Sequence, residues 1–323
     1  MRIFVTGGTG FIGSHVVKRL VQKDHEPICL VRSTSNTTEL EKMGVGLVTG
    51  DVTNKDSLTE CMVGCDWVVN LANIYSWWVP DKRIYTKVNV EGTRNVMECA
   101  LETGTSKVVH ISTAYVYGKP ETFPFTEETP VGSVRTSEYT RTKYEGDLVA
   151  FQLYEKRGLP LVIIYPGTVV GTGDPKSIGR YIKRFLADRV PNTAFPNAVH
   201  TYVYVGDVAE AIVLVLEKED NLGEKYLIGK HHLSNLELAE LLSDLSGVSI
   251  PPKAPGAISL LVSAVITLLA ELTNRSPSLP PLDYMRVIRH GCVFDGSKAE
   301  QEMGLEYTPI HDILKEAVES EKP

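Results

Sequence analysis

The feature that most narrows the folds open to this 323-residue chain lies at its start. The apolar run Ile3-Phe4-Val5 leads at once into Thr6-Gly7-Gly8-Thr9-Gly10-Phe11-Ile12-Gly13. A helical pattern follows from Ser14 to Gln22, with Val16, Val17, Leu20 and Val21 on one face. Glycine is needed where a turn takes positive φ, where backbone approaches a pyrophosphate, and where a helix packs closely on a strand. The helix N-terminus then offers free N–H groups and the positive end of its dipole to an anion. Gly7, Thr9, Gly10, Phe11, Ile12 and Gly13 are therefore expected to hold a dinucleotide.

The end of the second apolar run, Ile28-Cys29-Leu30-Val31-Arg32-Ser33, bears on which dinucleotide it is. An acid there would bind a ribose 2′-hydroxyl and repel a 2′-phosphate, but Val31 occupies the place. Arg32, with Ser33, Thr34 and Ser35, offers a guanidinium and hydroxyls suited to phosphate. NADP(H) is the expected cofactor, with NAD(H) the alternative.

Further apolar runs at Gly46–Val48, Trp67–Leu71, Lys107–Ile111 and Leu161–Tyr165 are separated by helix-length segments, one of them a helix over Val88–Glu102. Repeated βαβ units predict an α/β fold, a Rossmann doubly wound parallel sheet. Past Tyr165 the alternation loosens and Gly and Pro become dense, so a smaller C-terminal substrate domain is expected. The division is residues 1–166 for dinucleotide binding, with returning segments near 201–229, and 167–323 mainly for substrate. Thr201–Val205 reads as a strand, Val208–Leu216 as a helix and Cys292–Phe294 as a short strand.

With 33 basic and 40 acidic residues the chain carries a net charge of −7, which argues against nucleic acid as a partner. Five scattered cysteines suit a reducing compartment, and Cys61 and Cys65 lack the companions a metal site needs, so no metal is expected. Met1 runs straight into the first strand, and the expected location is cytoplasmic. Ala257–Leu272 is apolar except for Ser259, Ser263, Thr267 and Glu271, which form one narrow polar stripe on a helix. At roughly 1.5 Å per residue it falls short of the roughly 30 Å bilayer core, so no transmembrane span is expected. It reads first as a mostly buried helix, with peripheral membrane contact or a cover over a lipophilic substrate as alternatives.

Tyr139 and Lys143 stand four residues apart, on one face of a helix. A lysine about 5 Å from the phenol, at an effective dielectric near 20, would lower the tyrosine pKa by roughly two units. The run Lys107–Ile111 leads into Ser112-Thr113-Ala114-Tyr115, placing hydroxyls at the carboxyl end of a parallel strand, where such sheets bind ligands. Ser112 or Thr113 would donate to a substrate oxygen. His231 and His232 read as solvated loop residues, His110 as a core histidine, and Arg286 and Arg289 as either cleft or helix-capping residues.

Together these residues resemble the extended short-chain dehydrogenase/reductase family of the epimerase/dehydratase superfamily. The branch nearest in pattern includes dihydroflavonol-4-reductase-like, hopanoid-associated-epimerase-like and 3β-hydroxysteroid-dehydrogenase-like proteins. The glycine turn resembles T-G-x-x-G-x-x-G, and Tyr139 to Lys143 resembles Y-x-x-x-K. The resemblance implies catalytic roles for Thr113, Tyr139, Lys143 and Asn89. It implies cofactor contacts at Asp51, Val52, Leu71, Ala72, Asn73, Tyr139, Lys143, Tyr165, Pro166, Gly167 and Thr168. Gly167 stands where many UDP-sugar epimerases have Asn. Ala114 and Tyr115 stand where sugar dehydratases have Asp-Glu. Tyr75, Trp77, Trp78, Thr113 and Tyr115 are the expected substrate contacts, suited to a flat or lipophilic carbonyl or alcohol. The implied activity is reversible reduction of a ketone or aldehyde. A nucleotide-sugar epimerase and a non-catalytic NADP-binding redox sensor are the competing readings. A homodimer is common in the family.

Overall fold

In this computed structural model, which describes residues 1–321, the apolar runs of the first half are strands β1 (Arg2–Thr6), β2 (Glu26–Val31), β3 (Gly46–Thr49), β4 (Trp67–Asn70), β5 (Lys107–Ile111) and β6 (Leu161–Pro166). The later strands are β7 (Thr168–Val170), β8 (Thr193–Ala194), β9 (Val199–Tyr204), β10 (Lys225–Ile228), β11 (His231–Ser234) and β12 (Lys253–Ala254). The main sheet has seven parallel strands in the order β10-β6-β5-β4-β1-β2-β3. Its order reverses between β1 and β4, and the crevice at their carboxyl ends is where such sheets take ligands. Both faces are covered by helices, and for that reason β1, β5 and β6 are buried along nearly their whole length instead of alternating.

Two apolar clusters lie on the two sides of this sheet. The first includes Val16, Val17 and Leu20 of the helix Phe11–Gln22 and the buried face of the helix Val205–Glu217. A third cluster, around Ile182, Phe185, Leu242 and Leu314, fills a separate α/β layer built on the sheet β11-β9-β7.

Several expectations need correction. The strand expected at Thr201–Val205 exists as β9, but it belongs to the small sheet; within 201–229 the segment that joins the main sheet is β10, paired to β6. His231 and His232 are not loop residues. They lie on β11, antiparallel to β9, and their Nε2 atoms meet the carbonyls of Thr308 and Phe294 at 2.7 and 3.0 Å. Cys292–Phe294 forms only two isolated bridges, to His200 and Phe125. The segment Val88–Glu102 is not one regular helix: Thr86–Gly92 is a π-helix that passes into an α-helix at Thr93. All five cysteines are free.

The largest departure is the apolar helix, which spans Gly256–Thr273. Its polar stripe faces the protein: Ser259 and Ser263 are buried, while Leu261, Leu268 and Leu272 are 66%, 55% and 74% exposed. Thr267 Oγ1 donates to the Ser263 carbonyl and accepts the Leu282 N–H at 2.8 Å, so hydroxyls dock this helix where apolar contact was expected.

Candidate active site

The glycine turn sits at the carboxyl end of β1, beside Leu71 and Ala72 at the end of β4. Gly7 has φ of 73°, and a Cβ there would lie 2.8 Å from the Leu71 carbonyl carbon. The Ala72 N–H donates to Thr6 Oγ1, whose own proton goes to Asn70 Oδ1, so the two strand ends are fastened together. The helix Phe11–Gln22 has no side-chain cap and no acid in its first turn. The N–H groups of Phe11, Ile12 and Gly13 have no carbonyl within the helix to bond and point out of its positive end. This cradle fits a dinucleotide pyrophosphate, with Thr9 and Gly10 exposed at its lip.

At the end of β2, Val31 is buried and Arg32 is exposed in a tight turn closed by Ser35, whose Oγ accepts the Arg32 N–H. Asp51 Oδ1 accepts the Thr53 N–H and Val52 is buried beneath it. Asn73 Nδ2 donates to the Leu71 carbonyl, while its buried Oδ1 has no partner, as befits a side chain at the edge of a ligand site.

Tyr139 and Lys143 lie on the helix Glu138–Arg157, which opens with a Ser137–Thr140 capping box. Both side chains are buried. The Tyr139 phenol lies beside the Thr113 hydroxyl, and its ring is met edge-on by Tyr75 and Trp77 at centroid distances of 5.2 and 5.5 Å. Lys143 Nζ donates to the Ile111 carbonyl at 2.7 Å, at the end of β5.

The expected lowering of the Tyr139 pKa by Lys143 is absent. Burial pushes the phenol well above its ordinary 10, and Asp147 pushes it the same way. Burial also lowers the Lys143 ammonium to about 8, against the pull of Asp147. Behind this pair, Asp147 takes the Ser112 hydroxyl at 2.7 Å and stands 3.3 Å from His110 Nε2. Ser112 is therefore occupied, and Thr113 is the hydroxyl that faces Tyr139.

Asn89 is buried in the π-helix. Its Oδ1 accepts the Ile74 N–H at 2.7 Å and its Nδ2 donates to Thr142 Oγ1 at 3.0 Å. It thus fixes the loop carrying Tyr75 and Trp77 to the helix carrying Tyr139. Trp77 also touches Tyr284 at 5.7 Å, and the indole nitrogens of Trp77 and Trp78 are buried without partners.

Tyr115 departs from its expected place as a substrate contact. Its hydroxyl is bound at 2.8 Å to both Thr168 Oγ1 and His200 Nδ1, because the chain turns inward after Thr113. Burial lowers His200 to about 4, so it is neutral. No sequence signal marked His200 or Tyr284; both come from the small domain and meet the site only through folding. Gly167, between Pro166 and Thr168, passes so close to the Thr201 carbonyl that a Cβ would collide with its oxygen and crowd the Phe294 ring. Tyr165 is buried against Asp147. Arg286 pairs with Asp283 on its own helix. Arg289 instead lines a cavity of about 500 Å³ with Phe123, Phe195, Asn197, His290 and Cys292, beyond the His200 side of the site. No group of His, Cys, Asp and Glu suited to a metal occurs among the described residues.

A family model described as the NAD dependent epimerase/dehydratase family matches residues 3–229. A protein of Synechocystis sp. named "Putative dihydroflavonol 4-reductase" is 30% identical, over 98% of this chain and 93% of its own. Sterol demethylase protein B of Methylococcus capsulatus is 28% identical, over 98% and 97%. The crystal structure of gox2253 is similar at a TM-score of 0.85 and 31% identity, covering 98% of this chain and 97% of that one. UDP-glucose 4-epimerases are also among the relatives, and a dTDP-glucose 4,6-dehydratase solved with NAD is among the similar structures.

Proposed function

Because the chain belongs to the NAD-dependent epimerase/dehydratase family, in which its relatives include named reductases and it is an NAD(P)-dependent oxidoreductase, we propose that it is an NADP(H)-dependent reductase of an apolar ketone or aldehyde. The observation that carries this reading is the setting of Tyr139. Its phenol lies beside the Thr113 hydroxyl and is walled by Tyr75 and Trp77, so a carbonyl reaching it lies among aromatic faces.

The residues at Gly7 to Gly13, with Asp51, Asn73 and Lys143, would hold the dinucleotide, which when bound supplies hydride to the carbonyl carbon or accepts it from the alcohol. Tyr139 gives its proton to the carbonyl oxygen in reduction and regains it from solvent. Its raised pKa keeps that proton in place at neutral pH. Thr113 donates to the same oxygen and orients it. Arg32 is the group suited to a 2′-phosphate.

The epimerase reading draws support from the relatives so named and from Arg289 in the neighbouring cavity. Against it, the close passage at Gly167 leaves no space for the Asn found there in many UDP-sugar epimerases. Purified protein tested with NADPH and NADH against flat ketones, sterols and UDP-sugars separates these readings. Reduction of apolar ketones with NADPH is expected. Tyr139→Phe should lower kcat by roughly 10²–10⁴-fold, with dinucleotide binding retained. Epimerisation without net cofactor turnover, or a fully active Tyr139→Phe, would reject the proposal.

A further inference from the structure

The helix Gly256–Thr273 is inside out for a helix of a water-facing surface. Ile258, Leu261, Val262, Val265, Leu268, Leu269 and Leu272 are 44–74% exposed, a continuous aliphatic face of the kind a lone soluble domain rarely leaves open. This face is not slack chain awaiting a core. The opposite side is fastened to the body at four levels: Gly256 lies against the Phe195 ring, Ser259 and Ser263 are buried, Thr267 bonds Leu282, and Glu271 pairs with Lys82 at 2.7 Å.

The charges around it select among partners. Residues 245–282 contain one acid, Glu271, in a chain with 40 acids among 323 residues, and Lys82 neutralises that one. Lys253 and Arg275, both exposed, bracket the helix, and Arg184 reaches the Ser278 carbonyl just beyond it. An otherwise acidic protein therefore presents an aliphatic strip rimmed by cations. That combination suits the plane of an anionic bilayer, where aliphatic side chains enter the acyl boundary and cations meet phosphates. Because its polar side is held by the protein, the helix lies along the surface and does not cross it.

We propose that this helix docks the protein on an anionic lipid surface. The inference is independent of the reductase reading, but the two meet spatially. The docking helix packs on the helix Leu282–His290, whose Tyr284 touches Trp77, which in turn touches Tyr139. A lipid-dissolved carbonyl would thus reach the cleft from its docked side.

The test is flotation of the full chain with vesicles of phosphatidylcholine alone and with phosphatidylglycerol added, alongside Leu261→Glu/Leu268→Glu, Leu261→Ser/Leu268→Ser and Lys253→Glu/Arg275→Glu. The wild type should float with the anionic vesicles. Both leucine variants should lose at least tenfold in partitioning while melting and binding dinucleotide as the wild type does, and the charge variant should lose its preference for anionic lipid. The serine pair serves if the glutamates disturb folding. A wild type that stays in solution at millimolar lipid overturns the proposal, as do leucine variants that float equally well. So does a dimer in light scattering that the leucine variants convert to monomer, because a second copy would then be what covers this face.

Discussion

Lys143 is the group whose burial should be most legible in solution. Burial holds its ammonium near pKa 8 in place of 10.5, and Asp147 only partly opposes this. Between those two values the unfolded chain binds a proton that the folded chain does not. The Lys143 contribution to stability is therefore fully present above the unfolded pKa and is lost as pH falls through the folded one. Two titration curves with these midpoints give about 2 kcal/mol between about pH 7 and pH 9.5. In Lys143→Met that contribution is gone, so the stability of the variant relative to wild type should fall by this amount over the same interval. The variant also leaves the Ile111 carbonyl without its donor, at a cost of roughly 1–3 kcal/mol, but this is equal at both pH values and cancels. Urea unfolding of both proteins without cofactor, followed by circular dichroism, reads the change. At an m-value near 3 kcal/mol/M the gap between midpoints should move by roughly 0.7 M. A gap that stays constant would mean that Lys143 keeps its proton at pH 9.5 and that burial does not govern it.

Three other substitutions probe other parts of the site. Gly7→Ala forces a left-handed φ on alanine and presses its methyl on Leu71; a loss of about 1–2 kcal/mol and of dinucleotide affinity is expected in calorimetry, and unchanged binding would remove the turn from the cofactor site. Asn89→Ala strips acceptor and donor from Ile74 N–H and Thr142, so unfolding should come roughly 1–3 kcal/mol easier; an unchanged midpoint would show that the bridge carries no weight. Arg32→Ala should weaken NADPH binding about tenfold or more in a fluorescence titration and leave NADH binding as it was; equal effects on both would refute the 2′-phosphate role.

Much of the main sheet could be read from the chain because both its faces are covered. Continuous apolar runs such as Val108–Ile111 and Leu161–Tyr165 have no other plausible use, and the glycine turn marks which end binds ligand. Tyr139 and Lys143 were visible for a similar reason, since a fixed spacing on one helix brings them together without help from distant chain. The features that escaped depend on long-range packing. The π-helix at Asn89 leaves no period in the sequence, the direction of the Tyr139 pKa shift follows from burial by Tyr75 and Trp77, and His200 reaches Tyr115 from 85 residues away. The helix Gly256–Thr273 misled for a different reason. Its pattern correctly gave one polar and one apolar side, but periodicity cannot say which side meets the protein.

The passage at Gly167 has a consequence for how such a cleft can be refitted. Within three residues the chain leaves the main sheet at Pro166 and enters the small one at Thr168, pinned between Thr201 and Phe294. The floor is a welded corner between two sheets, and side chains grafted there would pry the layers apart. The rim is assembled from a loop, Tyr75 to Trp78, and a helix bearing Tyr284, neither of which belongs to a sheet. Redesign toward a bulkier or more polar carbonyl should therefore begin at the rim and leave the corner untouched.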